Sequence, residues 1–168
     1  MRNFREMNPG ELMLNPFTRI GEDWMLLTAG DEKKFNTMTA SWGGMGVLWH
    51  KNVIFSFVRP QRYTFGFFEK HDRFTASFLL PGHREALNFC GSHSGRDTDK
   101  MKETGLTPVF TDGTVTFEQS ALVFVCRKLS GQFLPPDSFI DPALAANYPT
   151  KDYHKMFIGE IEKILVQE

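Results

Sequence analysis

Two β-rich runs, Ala121–Leu129 and Met156–Val166, are long enough to curl around a barrel, and they constrain what the rest of the chain can build. Shorter strands are expected at Trp24–Leu27, which Thr28-Ala29-Gly30 brings to a turn, and at Phe35–Ser41, Val53–Val58 and Phe74–Leu80. In Phe35–Ser41, Phe35, Thr37, Thr39 and Ser41 alternate with Asn36, Met38 and Ala40, the period-two pattern of a strand. Seventeen phenylalanines against three tryptophans and three tyrosines suit such a pleated, half-buried surface.

Helical signals are fewer and shorter. The fixed φ of Pro60 suits the first position of a helix through Arg62–Lys70. Pro81-Gly82 precedes a helix over His83–Phe89, and Asp97 is positioned to cap the backbone of residues 99–100. The segment 131–149, rich in Pro, Asp, Ala and Asn, reads as a long excursion. Strands and long helices do not alternate, so a parallel α/β sheet is not expected. The prediction is a mostly β, single-domain barrel over residues 1–168, with short helices packed at its ends.

Composition closes off several functional classes. With 41% hydrophobic and 23% charged residues, the chain reads as an ordinary soluble globular protein. A formal net charge of −1 gives no basic field for nucleic acid. No apolar run approaches the ~20 residues needed to cross a bilayer, so no membrane partner is expected. The polar start MRNFREMNPGEL carries no signal-peptide core, which makes the cytoplasm the expected address. Cys90 and Cys126 imply no disulfide framework and read as buried free thiols. Cys90-x-x-His93 lacks the second ligand pair of a zinc site, and no metal is expected. Among the histidines, His154 stands between the long excursion and the last strand, and a surface role is its default reading.

The common nucleotide signatures are missing: there is no Gly-x-Gly-x-x-Gly after a strand and no Gly-x-x-x-x-Gly-Lys-Ser/Thr. Gly43-Gly44-Met45-Gly46 reads as a turn. Three other segments carry chemistry. Thr37-Met38-Thr39-Ala40-Ser41-Trp42 is either an ordinary strand or a strand end whose free backbone groups meet the polar edge of an isoalloxazine. In the second case Ala40 and Ser41 let the ring approach and Trp42 supplies an apolar wall. Arg59-Pro60-Gln61-Arg62-Tyr63-Thr64 sits where a strand gives way to a helix start, a natural phosphate seat, although both arginines can equally be solvated surface residues. Ser94-Gly95-Arg96-Asp97-Thr98-Asp99-Lys100 is a polar turn whose Ser94 and Lys100 complement that seat if the loop folds over it. Together these residue types suit a flavin mononucleotide.

The order strand, Thr-Met-Thr-Ala-Ser-Trp, strand, Val-Arg-Pro-Gln-Arg-Tyr-Thr, helix, Phe-Thr-Ala-Ser-Phe, then Ser-Gly-Arg-Asp-x-Asp-Lys resembles the flavin reductase-like, FMN-binding split-barrel family, and its flavoredoxin-like branch most closely. Asp152–Ile161 resembles that branch's final strand, so the likeness spans roughly residues 35–164. The resemblance implies a split β-barrel that forms a homodimer, with FMN held near the subunit interface. It places Met38, Thr39, Ala40, Ser41 and Trp42 along the isoalloxazine and ribityl chain. Arg59, Arg62, Tyr63 and Thr64 would face the phosphate, joined by Ser94, Gly95 and Lys100.

The implied reaction is hydride transfer from NADH or NADPH to flavin, with electrons passed on to a small-molecule or protein acceptor. The flavin carries that chemistry, so no dedicated catalytic side chain is expected. The excursion, taken over residues 131–153 with Gln132 and Tyr148, is expected to cover the nicotinamide side. A rival reading is a non-catalytic FMN-binding electron carrier. A third, oxidation of a small amine such as pyridoxine phosphate on a related barrel, lacks a second phosphate cluster.

Overall fold

The computed structural model describes residues 4–168; residues 1–3, at the head of the polar start, lie outside the described residues. In chain order the strands are β1 (Phe4–Glu6), β2 (Met25–Gly30), β3 (Phe35–Ala40), β4 (Gly43–Leu48), β5 (Lys51–Val58), β6 (Arg73–Leu79), β7 (Pro108–Thr111), β8 (Thr114–Phe117), β9 (Ser120–Phe133) and β10 (Lys155–Gln167). The helices are α1 (Pro16–Thr18), α2 (Tyr63–Lys70), α3 (Arg84–Ser92) and α4 (Lys100–Thr104). Eight strands form one antiparallel sheet in the order β3-β2-β6-β9-β10-β5-β4, with β1 added to β10, while β7 and β8 form a separate hairpin. This is the split-barrel architecture.

β9 and β10 are the frame. β10 runs the full length of β9, pairing from Lys155↔Phe133 to Val166↔Leu122 with shifts of register near Gly159 and Glu162. Such irregularities bend a strand, which lets a long pair wrap rather than lie flat. On its other edge β10 pairs first with β5, from Lys155↔Val58 to Glu160↔Val53, and then with β1, from Glu6↔Leu165 to Phe4↔Gln167. One strand therefore serves two different neighbours along the same edge.

Much of the phenylalanine excess lies inside, although Phe17, Phe110 and Phe133 are exposed. Phe68, Phe74, Phe78, Phe124 and Phe157 are buried together with Met25, Leu27 and Ile54. The Phe68 ring lies 4.9 Å from Phe74 and 5.3 Å from Phe157, the contact distances of tilted aromatic pairs. A second cluster of Leu26, Leu79, Leu87, Cys90, Leu106 and Phe117 packs α3 and the β7–β8 hairpin on the outer side of β2. β2 is thus buried on both faces, which explains why it reads as a continuous apolar run. Cys90 and Cys126 are free and buried. Among the described residues no helix is long and apolar enough to cross a membrane.

Several local expectations are corrected. Gly43-Gly44-Met45-Gly46 is not a turn but the first part of β4, paired with Ser56–Val53 of β5. A Cβ on Gly43 would lie 2.9 Å from Met25 Cε and 3.0 Å from the Phe55 carbonyl, so glycine is there for close approach. The hairpin turn falls later, at Trp49 and His50, with φ of 54° and 57° as a tight two-residue hairpin demands. Thr28-Ala29-Gly30 continues β2, and the turn is made by Asp31, whose carboxylate accepts from the Lys33 and Lys34 amides at 2.9 and 3.0 Å. Pro60 sits in a separate turn closed by the Arg62 amide to the Arg59 carbonyl at 3.0 Å, and α2 starts after it. The cap of α4 is Asp99 rather than Asp97, accepting from the amides of Met101 and Lys102. β9 reaches Phe133, so the excursion begins at Leu134.

Candidate functional site

Among the described residues β3 is the end strand of the sheet and pairs only with β2, so the backbone groups on its outer edge have no ladder partners there. Where it runs out, Met38, Thr39, Ala40, Ser41 and Trp42 form one wall of a cleft of about 190 Å³. Phe57 of β5, Arg59, Arg62 and His154 complete it. Trp42 is half-exposed and its ring lies 5.3 Å from the His154 imidazole, which Phe57 meets edge-on at 6.3 Å. Thr39 Oγ1 donates to the Leu87 carbonyl at 2.5 Å, tying β3 to α3.

His154 does not have the surface role expected of it, because it is 7% exposed. Its Nδ1 lies 2.8 Å from the Tyr148 hydroxyl. Burial pushes the imidazole down to about 4, the Arg59 guanidinium adds to that, and Asp152 opposes it. At neutral pH the ring is uncharged.

A second cleft, also about 190 Å³, opens on the other side of Arg62. Its walls include Asn36 of β3, Tyr63 and Thr64 at the start of α2, Ser94 and Gly95 of the loop after α3, and Lys100 at the start of α4. The two clefts share Arg62 and together reach the ~300–1,000 Å³ typical of cofactor sites. No side chain caps α2; the Phe65 amide donates to the Arg62 carbonyl at 2.9 Å, and Tyr63 and Thr64, at the positive end of the helix, line the second cleft.

Arg62, Arg96 and Lys100 line this second cleft, and Arg62 and Lys100 are the ones drawn inward onto backbone carbonyls. Lys100 is 5% exposed, and its Nζ donates to the carbonyls of Thr37 at 2.8 Å and Cys90 at 3.0 Å. Arg62 donates to the carbonyls of Gly91 at 2.7 Å and Cys90 at 3.2 Å. Among the described residues no carboxylate pairs with either. Desolvation lowers Lys100 to about 8, with Cys90 opposing and Arg62 adding, and it also lowers Arg62 from its ordinary value. Buried charge without a counter-ion is costly, and a bound anion would remove that cost. The donor set of ammonium, guanidinium, hydroxyl and helix-start amides fits a phosphate monoester.

Gly95 matters for space. A Cβ there would fall 2.1 Å from Asn36 Oδ1 and 3.2 Å from the Tyr63 ring. Asn36 in turn donates from Nδ2 to Thr64 Oγ1 at 2.8 Å, so the loop, β3 and α2 lock together around the cleft. Ser94 turns the loop, its Oγ accepting from the Arg96 amide at 3.2 Å.

Arg59 is the proposed phosphate residue that stays away from the second cleft. Its guanidinium donates to Asp152 Oδ2 at 2.7 Å and to the Asn147 carbonyl at 3.0 Å, and lies 5.1 Å over the Tyr148 ring. Gln61 Nε2 also donates to Asp152 Oδ2. These contacts, the Arg59 hydrogen bond above all, hold the Asp152 carboxyl well below the usual carboxylate range. Arg59 thus pins the excursion against the first cleft. Gln132 is not part of that cover, because it lies in β9 opposite Met156. Asn36 and Phe57 were missed. The signal for Asn36 was present, since it is the polar member of the otherwise apolar set Asn36, Met38 and Ala40.

The flavin reductase-like domain profile matches residues 17–168. The chain belongs to that family. Solved structures of the same fold include an FMN-binding protein from Thermus thermophilus with bound 1-cyclohex-2-enone, 23% identical over 98% of this chain and 79% of that one, with a TM-score of 0.66. Flavoredoxin of Desulfovibrio vulgaris is 21% identical over 98% of this chain and 78% of its own, with a TM-score of 0.68. Flavoredoxin from Methanosarcina acetivorans is 21% identical over 87% and 69%, with a TM-score of 0.69. No curated protein matches the chain.

Proposed function

We propose that this flavin reductase-like domain binds FMN and oxidises NADH or NADPH, delivering the electrons to a further acceptor. The observation that carries the reading is the pair of clefts that share Arg62, one with aromatic walls and one with the buried Lys100 and the half-buried Arg62, neither paired with a carboxylate among the described residues. FMN is a flat ring joined through a short chain to a phosphate, and these clefts match its two ends. Bound FMN supplies a ring that accepts a hydride and releases electrons. The protein's part is placement: Trp42 and Phe57 confine the ring, the outer edge of β3 offers backbone groups to its polar rim, and Arg62, Lys100 and Thr64 hold the phosphate.

The same reading includes a homodimer. Among the described residues β4 is the other end strand and pairs only with β5. Beside it Phe17, Trp42, Val47 and Trp49 are exposed, and a groove lined by Phe17, Ile20, Trp42, Met45 and Phe57 shares Trp42 and Phe57 with the ring cleft. An exposed apolar edge strand otherwise invites indiscriminate pairing, and a second copy seated here would also cover the ring's open side.

Anaerobic stopped-flow mixing of the FMN-loaded protein with NADH and with NADPH tests the activity. Bleaching of the flavin by either nicotinamide is the expected result. Bleaching by dithionite alone would instead identify an electron carrier served by a protein donor. Light scattering at micromolar concentration tests the dimer.

A further inference from the structure

The Tyr148–His154 pair sits where the excursion closes on the ring cleft, and its hydrogen bond has a direction that can be worked out. The phenol carries one proton, and among the described residues its only hydrogen-bond partner is His154 Nδ1. Were Nδ1 protonated and donating, the phenol's own proton would be left unpaired on a side chain that is 7% exposed, a costly arrangement. The favoured arrangement has the phenol donating to a bare Nδ1, because the unpartnered Nε2 is not a fully buried atom and its proton can meet solvent or a ligand in the cleft. The proton of the neutral ring then resides on Nε2. That nitrogen makes no hydrogen bond among the described residues, and the side chain lines the cleft with Trp42 and Phe57.

We propose that Tyr148 is a positioning residue: by donating to Nδ1 it fixes His154 as the Nε2–H tautomer, which offers a neutral hydrogen-bond donor to a carbonyl or carboxamide oxygen on a flat substrate entering the ring cleft. The inference rests on the reading of that cleft as the flavin-ring site. The charged groups facing the pair are Arg59, stacked over Tyr148 on one side, and Asp152, bound to Arg59. Their opposed effects leave burial as the main reason the imidazole stays neutral. A neutral donor suits an uncharged oxygen, whereas an imidazolium would favour a carboxylate. Tyr148 is held for this task by Phe139 and Tyr153, whose rings lie 5.7 and 5.0 Å from its own. The packing survives loss of the hydroxyl, so Tyr148→Phe isolates the hydrogen bond.

Long-range proton–nitrogen correlation spectra of the FMN-free protein at pH 7 report the tautomer directly. The expected spectrum has the His154 proton on Nε2, and Tyr148→Phe shifts it toward a mixture of tautomers, while burial, which the substitution leaves in place, keeps the ring neutral. In the FMN-loaded protein, added nicotinamide should shift the Nε2 signal, and Tyr148→Phe should weaken that binding about fivefold, the scale of one hydrogen bond. FMN affinity should not change. A proton on Nδ1 in the parent, an unmoved Nε2 signal on nicotinamide addition, or a Tyr148→Phe spectrum identical to the parent's would each overturn the proposal. Failure of NADH and NADPH to bleach the flavin would count against the reductase reading alone, because the tautomer and the nicotinamide titration are read without turnover.

Discussion

Arg62 and Lys100 converge on one carbonyl oxygen, that of Cys90, at 3.2 and 3.0 Å. Cys90 itself contributes no negative charge, because burial pushes its thiol up to about 11. The two cations are therefore held in place by neutral backbone and left electrostatically unsatisfied. A phosphate would supply what the protein withholds.

Replacing Lys100 with Met removes one of these charges at nearly constant length. FMN binding should weaken by ~1–3 kcal/mol, the range for a charge-assisted hydrogen bond, while riboflavin should be much less affected. Thr64→Val should act in the same direction. Parallel fluorescence-quenching titrations with the two flavins check both, and equal losses would place the phosphate elsewhere.

Acidity gives a second handle on Lys100. Its folded value of about 8 lies below the 10.5 of the free side chain, so the unfolded chain holds more protons between those limits. Stability of the FMN-free protein should therefore rise with pH across that window through this group, and Lys100→Met should lack the rise. FMN affinity should move the opposite way, falling as pH passes 8 while riboflavin affinity stays level. Denaturant titrations and flavin titrations from pH 7 to 10 measure the two trends.

Gly95→Ala should displace Asn36, since its new methyl would sit 2.1 Å from Oδ1. The Asn36–Thr64 hydrogen bond would then be lost with it. We expect a destabilisation of ~1–3 kcal/mol, the usual cost of forcing extra volume into a packed site, together with weaker FMN binding. Thermal melts and a flavin titration of the variant check this.

Asp152→Asn should loosen the excursion by removing the anion that Arg59 and Gln61 share. Protease cleavage between 134 and 151 should accelerate, whereas affinity for the phosphate end of FMN should hold. Because the folded Asp152 titrates below its ordinary value, the parent should lose the same protection only as pH falls beneath ~4. Limited proteolysis across pH separates the two.

Much of the barrel was legible because β9 holds the unbroken apolar run Ala121–Cys126, while β10 and β6 combine Phe, Ile, Leu and Val with β-forming neighbours over strand-like lengths. β4 was not, since glycine at three of its six positions outweighs its pairing with β5 in any local reading. The β7–β8 hairpin escaped because Pro108-Val-Phe-Thr111 is too short to show a pattern. In the site, small residues and hydroxyls near Trp42 were visible as a group. The neutrality of His154 and the diversion of Arg59 to Asp152 were not, because each depends on a partner some 90 residues away or on burial created by the excursion.

The strand that changes neighbours partway along its edge also orders events in time. Residues 155–167 follow every other strand, yet they complete the pairing of β1, β5 and β9. A nascent chain that has emerged only to the excursion has a hairpin of β4 and β5 and a strand β9, each with an unclosed flank. Closure must wait for residues 155–167 to leave the ribosome, after which three distant parts of the chain are fastened in one step. Such non-local assembly is slow and exposes sticky flanks meanwhile. Chaperone demand during synthesis should therefore end abruptly once residue 167 is clear of the tunnel.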